Sequence, residues 1–528
     1  MLWTLAVGGT ALRLSLIARQ GLHGDEAIYG YWAQLVASGR DPFLLSVPLD
    51  KPPLFIYLLA GMFKLFGPTE IAARLISETA SAAAVGLVYA LGRRFYDRQV
   101  ALLAAAVMVL SPFNILFAPT AFTDPLMVTL ILVAMHLATT GRWGWAGLAA
   151  GLAVATKQQG IFFVPLVVTT GWLNQGGTFF QSKGATWLDR HPSIGSRSSL
   201  RGRAWGVVRM GLGFLGVVQL LIGWDALRWR VRASFWEQSA VSHGPVYLMN
   251  WWELGERLAG WSDLLGYVLG SPLLNVILLL GVPLLLWRGW RAMLASSDGA
   301  PGHIQAQCSP DLHVRTARLD WLMASFIALF FLTHWLFSFR VWDRYLLGLV
   351  PVASLLLARV VWRGALWAGI KRIGFVGLAL VILLAGPAVE AVQEGHAIGG
   401  DHDTYQGLEE VISFFRHEVP SGSVVWHRYL GWHYFHYLFD APLELRWYAE
   451  PAILATKATT ETATPNYVAF PAREAEAEAE TRAALRSVAL GLVLERRTWR
   501  DDGRLAFTVY RIVGQDAQPG GTWSSENQ

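Results

Sequence analysis

Charge is what this sequence is short of. Only 15% of its 528 residues are Asp, Glu, Lys or Arg, where a soluble chain carries about 25%. That excludes an ordinary soluble multidomain enzyme and a disordered chain, and a net charge of +5 at this length excludes a basic nucleic-acid binder. Cysteine is scarcer still. Cys308 stands alone, which excludes an intramolecular disulfide and a thiolate metal cage. What the chain has instead is apolar bulk: 54% hydrophobic residues, 25 Trp and a mean hydropathy of +0.38. About 20 apolar residues suffice to cross roughly 30 Å of hydrocarbon. Such stretches recur at 1–19, 70–92, 99–117, 125–140, 143–156, 160–175, 206–223, 264–287, 319–338, 345–362 and 370–389. The reading is a mostly α, polytopic membrane protein of about 11 transmembrane helices.

Segment 1–19 lacks the basic n-region and small-residue exit of a signal peptide, so it counts as the first helix. Lys and Arg in the short connections set orientation. They concentrate in the loops that a cytoplasmic N-terminus places inside, such as Arg93, Arg94, Lys183, Arg190, Arg288 and Arg372. An odd number of crossings then leaves everything after residue 389 extracytoplasmic. Cys308 falls in an inward loop, and the Gln/Ser/Gly-containing stretch 176–205 reads as a solvated cytoplasmic linker. Residues 20–51 form a long outward loop rich in Asp, Glu, Tyr and Trp. After Pro52 and Pro53, the apolar run to residue 66 is too short to cross, which makes it an interfacial helix. The transmembrane region is thus 1–389, with 20–66 as a first outer loop holding interfacial helices.

From residue 390 the composition turns polar. Residues 407–419 are amphipathic at helical spacing, and strand-like runs follow at 423–430, 443–449, 466–472, 492–499 and 506–513. Strong helix formers fill 473–490. Strands alternating with helices define a small soluble α/β domain over 390–514, and 515–528 reads as a disordered tail.

Several ionisable residues converge on the outer face in this topology, and each has a structural reading beside the chemical one. Asp25-Glu26, in HGDEAIYGYW, is a carboxylate pair suited to general-base work or to half of a metal site; equally, Asp25 can cap a helix 26–38. Tyr29 lies one turn on, on the face of Asp25. Lys51, in LDKPPLF, can hold a phosphate as a point charge or simply snorkel. Asp124 with Pro125 is a standard helix start. Lys157, in ATKQQG, sits so close to hydrocarbon that it needs a partner, for which Asp124 is placed. Arg340, Asp343, Arg344 and Tyr345 lie between two spans, and His243 stands in an aromatic outer loop. His427, His433 and His436 match no metal-ligand spacing and read as surface or core residues. The ensemble suits a phosphate-bearing lipid whose leaving group needs neutralising charge.

Read in order, Asp25-Glu26 with Tyr29, Lys51-Pro52-Pro53-Leu54, GPTEIAARLISETA (67–80), LGRRFYD (91–97), SPFNILFAPTAFTDP (111–125), GLAVATKQQG (151–160) and RYLLGLVP (344–351) form a series. It resembles the integral-membrane GT-C glycosyltransferases of the protein O-mannosyltransferase and lipid A aminoarabinose-transferase type, over roughly residues 20–360. The resemblance implies a GT-C-like fold and an inverting transfer of a monosaccharide from a polyprenyl-phosphate donor on the outer face of the cell membrane. It implies no cofactor, although a divalent cation at Asp25 and Glu26 stays open. The acceptor, whether protein, lipid or glycan, is unspecified, and no nucleic acid is involved. Asp25 matches the essential acidic residue of the first outer loop and Glu26 its neighbour. Lys51 matches the phosphate-contacting lysine, Asp124 and Lys157 an acidic residue and a lysine lining the cavity, and Arg344 the basic position ahead of the Tyr345-Leu run. Gly348 stands where many relatives have proline, and Gln158-Gln159 where others have Gly-containing turns. Two other classes fit a polytopic chain, a transporter or flippase of a lipid-linked sugar and a non-catalytic scaffold. A transporter would place its charges near the midplane and show paired broken helices, and a scaffold gives no reason for Asp25, Lys51, Asp124 and Lys157 to share one cavity.

Overall fold

The computed structural model describes residues 8–11, 13–14, 16–17, 21–174, 200–297, 310–393, 395–400, 404–461 and 464–514. Most of the expected span 1–19, the linker up to residue 199, Cys308 and the tail 515–528 lie outside them. The chain forms two compact units. The first is Met1–Ile17, Asp41–Gly61 and Ile71–Gly399; the second is Ala18–Arg40, Met62–Glu70 and Gly400–Gln528.

The first unit is helical. Among the described residues six helices are long and apolar enough to cross a membrane: Glu70–Phe95, Leu200–Arg228, Pro272–Leu294, Val314–Leu336, Asp343–Trp367 and Ile373–Val392. Four shorter apolar helices stand beside them, Leu54–Phe66, Arg98–Leu110, Asp124–Thr139 and Trp143–Thr156. The make-up is that of a multi-pass membrane protein. At 1.5 Å per residue the short helices reach about 20–25 Å, and local chemistry explains their ends. Asp97 caps Arg98–Leu110 by accepting from the Val100 N–H at 2.8 Å, and Pro112 two residues past Leu110 begins a separate helix, Pro112–Phe117. The expected span 99–117 is therefore two helices. The expected span 264–287 is broken as well: Gly270, at φ +70°, terminates Leu254–Leu269, and Pro272 opens the next helix. The linker read as ending at 205 gives way to helix at Leu200.

Trp143–Thr156 and Leu200–Arg228 lie backbone against backbone. A Cβ on Gly147 would stand 1.9 Å from the Met210 carbonyl oxygen, and one on Gly213 2.3 Å from that of Gly144. Small residues spaced four apart (Gly147, Gly151) permit such an approach where no hydrophobic effect drives helices together.

The second unit carries a five-stranded sheet of order β2-β1-β3-β5-β4, built from β1 (Val424–His427), β2 (Glu444–Trp447), β3 (Asn466–Pro471), β4 (Leu490–Trp499) and β5 (Leu505–Gly514). β1 pairs in parallel with β2 and β3, while β5 is antiparallel to β3 and β4. Alternation along β3 sends Tyr467 and Ala469 to one face and Val468 and Phe470 to the other. Helix Leu408–His417 covers the first face through Val411 and Phe415, and Pro451–Thr460 and Ala475–Arg486 cover the second through Leu454 and Leu485. Gly431–Tyr437 and Pro451–Thr460 are the crossover helices that parallel pairing demands. The unit also includes helix Gly24–Ala37 from the N-terminal part of the chain.

Candidate functional site

In the first unit three separate connections bring their charged residues together. Segment 41–49 is fixed first. The Asp41 carboxylate accepts from the Leu45 and Ser46 N–H groups at 2.8 and 2.7 Å. Arg228, fully buried, donates to the carbonyls of Leu44 (3.1 Å) and Val47 (3.2 Å), and Arg232 donates to Leu45 and Ser46 at 3.0 and 2.9 Å. The anchored segment delivers Asp50 and Lys51 to the start of helix Leu54–Phe66. Lys51 is buried, with its ammonium 2.9 Å from the Asp50 carboxylate and 3.3 Å from His243 Nε2.

Helix Trp143–Thr156 ends at Lys157, whose backbone is extended (φ −153°, ψ 132°) before a 3-10 turn over Gln158–Phe163. The Lys157 ammonium donates to Asp124 Oδ1 at 2.6 Å, and both side chains are more than nine-tenths buried. The expected partner is thus the observed one. Asp124 does not serve as the cap that its place before Pro125 suggests: Thr123 precedes the helix, and the Asp124 carboxylate goes to Lys157. Burial lowers the Lys157 pKa to about 8; Asp124 opposes the shift, and Arg344 and Lys51 add to it. These charges are therefore within electrostatic reach of one another. Gln158 ties two connections together by donating to the Asp50 carbonyl at 3.0 Å.

The third connection supplies Arg344 and Tyr345, in the 3-10 turn Asp343–Leu349. The Arg344 guanidinium lies 4.5 Å from the Trp342 ring centroid, and Lys157 Nζ lies 5.0 Å from that of Tyr345. Asp343 anchors the turn by accepting from the N–H groups of Arg344 (2.6 Å) and Gly399 (2.8 Å). Gly348 gives the Phe163 ring room to pack closely: a Cβ there would stand 2.3 Å from Phe163 Cζ. Lys51, Asp124, Lys157, Arg344 and Tyr345 are thus brought together in one unit. Sequence reasoning passed over Asp50, and it gave His243 and Trp342 no role. His243 packs its ring 5.5 Å from that of Trp342, and burial followed by the nearby Lys51 lowers its pKa. Only the position of Asp50 beside Lys51 signalled a role for it.

Asp25, Glu26 and Tyr29 are grouped in the second unit, on helix Gly24–Ala37. Asp25 is not the cap of this helix. His23 is: its Nδ1 accepts from the Asp25 N–H at 3.0 Å, and Glu26 closes a capping box by accepting from the His23 N–H at 2.8 Å. Glu26 is buried in that role, whereas the Asp25 side chain is half-buried in the first turn, where the helix dipole favours an anion. Tyr29 is buried with its ring 5.9 Å from Trp32. His427, His433 and His436 are core residues, each held near pKa 4 by burial. Among the described residues no group of three or more His, Cys, Asp or Glu is placed to hold a metal ion.

Residues 50–184 match the family model for dolichyl-phosphate-mannose-protein mannosyltransferases. No curated protein matches the chain. Among solved structures the fold is similar to that of ArnT from Cupriavidus metallidurans in the apo state, at 15% identity and a TM-score of 0.59, covering 96% of this chain and 97% of that one. The same enzyme bound to undecaprenyl phosphate matches at 15% identity and a TM-score of 0.56, covering 97% of each chain. An oligosaccharyltransferase from Archaeoglobus fulgidus, in complex with zinc and sulfate, matches more loosely at 13% identity and a TM-score of 0.48, covering 96% of this chain and 72% of that one. The fold is the helical-unit-plus-small-sheet architecture of ArnT. The chain accordingly resembles the GT-C glycosyltransferases of the ArnT and protein O-mannosyltransferase type, in fold over nearly its whole length and in sequence over residues 50–184.

Proposed function

We propose that the chain is an inverting glycosyltransferase that moves a monosaccharide from a polyprenyl-phosphate donor to an acceptor on the outer face of the cell membrane. The observation that carries this reading is the group formed by the buried Lys51 and Lys157 and the half-buried Arg344, delivered by three connections of an apolar helical unit and stiffened by the Lys157–Asp124 pair. Cations held at such cost in a lipid-facing protein suit a ligand that brings negative charge with it. The undecaprenyl phosphate in the similarly folded ArnT is such a ligand. In this reading about 11 helices span the membrane, the N-terminus is cytoplasmic and the sheet-bearing domain extracytoplasmic.

Lys51, Lys157 and Arg344 hold the phosphate and neutralise the charge that collects on it as the bond from the sugar C1 to the phosphate oxygen breaks. The acceptor oxygen attacks C1 from the opposite face as oxocarbenium character develops. Its proton passes to Asp25, the electron pair of the broken bond stays on the lipid phosphate, and the anomeric centre inverts. Tyr345, beside Lys157, lines the donor path. An acceptor that is itself a phosphate needs no base, and Asp25 then orients it. No metal step is part of the proposal.

The test is donor turnover by the purified protein in detergent against radiolabelled polyprenyl-phosphate sugars. Wild type consumes one of them, and Asp25→Asn lowers the rate about 10²–10³-fold with donor binding retained. A folded Asp25→Asn variant that keeps most of its turnover sinks the base assignment. No binding and no turnover across the panel sinks the transferase.

A further inference from the structure

The second unit holds Asp25 by a set of contacts that converge on one short helix of the C-terminal domain. Helix Gly24–Ala37, which bears Asp25, packs against Gly431–Tyr437. The tightest point is Gly30, where a Cβ would stand 2.6 Å from His436 Nδ1, so glycine leaves room for the His436 ring to lie against the helix. One turn on, Gln34 Nε2 donates to His436 Nδ1 at 2.7 Å and to the His436 carbonyl at 3.0 Å. Accepting there leaves the ring proton of a neutral His436 on Nε2. At the other end His433 Nε2 lies 2.9 Å from the Leu22 carbonyl, and the Tyr437 hydroxyl accepts from the Leu22 N–H at 3.2 Å. Leu22 directly precedes the capping residue His23, so these contacts fix the entry of the chain into the helix. Tyr31 stacks on Phe435 with centroids 5.0 Å apart, and Arg40 pairs with Asp440 at 2.7 Å just past the helix.

The contacts run from Leu22 ahead of the helix through Gly30, Tyr31 and Gln34 within it to Arg40 beyond it, so together they fix both the rotation of the helix about its axis and its height. These two coordinates set where a side chain in the first turn points. We propose that His436, with Gln34 and Gly30, forms a positioning clamp through which the C-terminal domain orients the Asp25 carboxylate, and that this is a role of that domain in the reaction. The inference rests on the assignment of Asp25 as the base. A misplacement of about 1 Å typically costs about 10²-fold in rate. His436 and Gln34 act through the helix, not on substrate, so their loss lowers turnover and leaves donor affinity alone.

The experiment uses the full chain in detergent and compares wild type with His436→Leu, His436→Asn and Gln34→Met. Three quantities are read: turnover, affinity for undecaprenyl phosphate, and amide exchange across residues 24–37. The expected result for His436→Leu and Gln34→Met is a kcat lowered about 10–100-fold, an unchanged Kd and faster exchange in 24–37. His436→Asn, which keeps an acceptor near the Nδ1 position, recovers most of both losses. Gln34→Met leaves the domain core untouched and so covers the case in which His436→Leu fails to fold. Wild-type turnover and wild-type exchange in Gln34→Met overturn the clamp, as does a parallel collapse of kcat and donor affinity. If wild type itself turns over no donor, the reading of Asp25 as base falls. The exchange contrast then still decides whether the C-terminal domain orders the helix, and unchanged exchange overturns that too.

Discussion

The two units differ in how they bury several of their ionisable groups. In the first, buried charges come with counter-charges: Lys157 lies 2.6 Å from Asp124, Arg359 3.6 Å from Asp320 and Arg228 3.7 Å from Asp225. In the second, Glu26 is buried as part of a capping box, and His427, His433 and His436 are buried groups that can lose their charge and do. An arginine stays charged at any ordinary pH, and a lysine with a pKa near 8 stays charged at neutral pH, so a buried one needs a counter-charge. A histidine meets burial by staying neutral. The first arrangement keeps permanent charge where an anion can use it, and the second builds a framework whose stability depends on pH.

The contrast breaks hardest at the Lys157–Asp124 pair. Asp124→Asn leaves a buried ammonium without its counter-charge and should destabilise the first unit by about 3–5 kcal/mol, read as thermal unfolding in detergent. The double variant Asp124→Leu/Lys157→Met should recover most of that stability, because two apolar groups replace a pair that was costly to bury. Donor binding should not recover. Recovered binding would mean that the pair is scaffold alone.

Acid should act on the other unit. The unfolded-state pKa of a histidine is about 6.5, and burial holds His427, His433 and His436 near 4. Between these values the unfolded chain binds more protons than the folded one. The stability contributed by the neutral rings is therefore present above about pH 6.5 and is lost as pH falls toward 4, on the order of a few kcal/mol for each ring. Amide exchange, corrected for its intrinsic pH dependence, should show protection falling across β1, β3 and helix 24–37 over that range, ahead of the first unit. Uniform loss across both units contradicts the contrast.

A smaller effect belongs to Gly348. Gly348→Ala places a methyl 2.3 Å from the Phe163 ring, and overpacking of this kind costs about 1–3 kcal/mol. Thermal unfolding reads it, and Gly348→Ala/Phe163→Leu should relieve it.

Much of this was legible in the sequence, for reasons that differ by residue. Lys157 announced a partner because an unpaired charge beside hydrocarbon is costly, and Asp124 is that partner. The strands of the C-terminal domain showed as short runs rich in aromatic and β-branched residues, as at Tyr467–Phe470, which is buried on both faces. Other features carry no local signal. Histidine seldom caps a helix, so the box formed by His23 and Glu26 was read as an Asp25 cap. Gly431–Tyr437 is seven residues of aromatic and histidine, too short for a helical period to show. The break at Gly270 sits in an apolar run where hydropathy sees one span and backbone geometry makes two helices. The grouping of helix 24–37 with residues some 400 positions away depends on contacts such as Gln34 to His436, which spacing along the chain does not encode.

If Lys51 and Lys157 hold a lipid phosphate, equilibrium binding of undecaprenyl phosphate to the detergent-solubilised protein reads it out. The account predicts measurable affinity for wild type and at least a tenfold loss in Lys51→Met. It also predicts a decline as pH rises through about 8, where Lys157 gives up its proton, by at most about tenfold per pH unit. Equal binding by wild type and Lys51→Met, with no decline at alkaline pH, would contradict it.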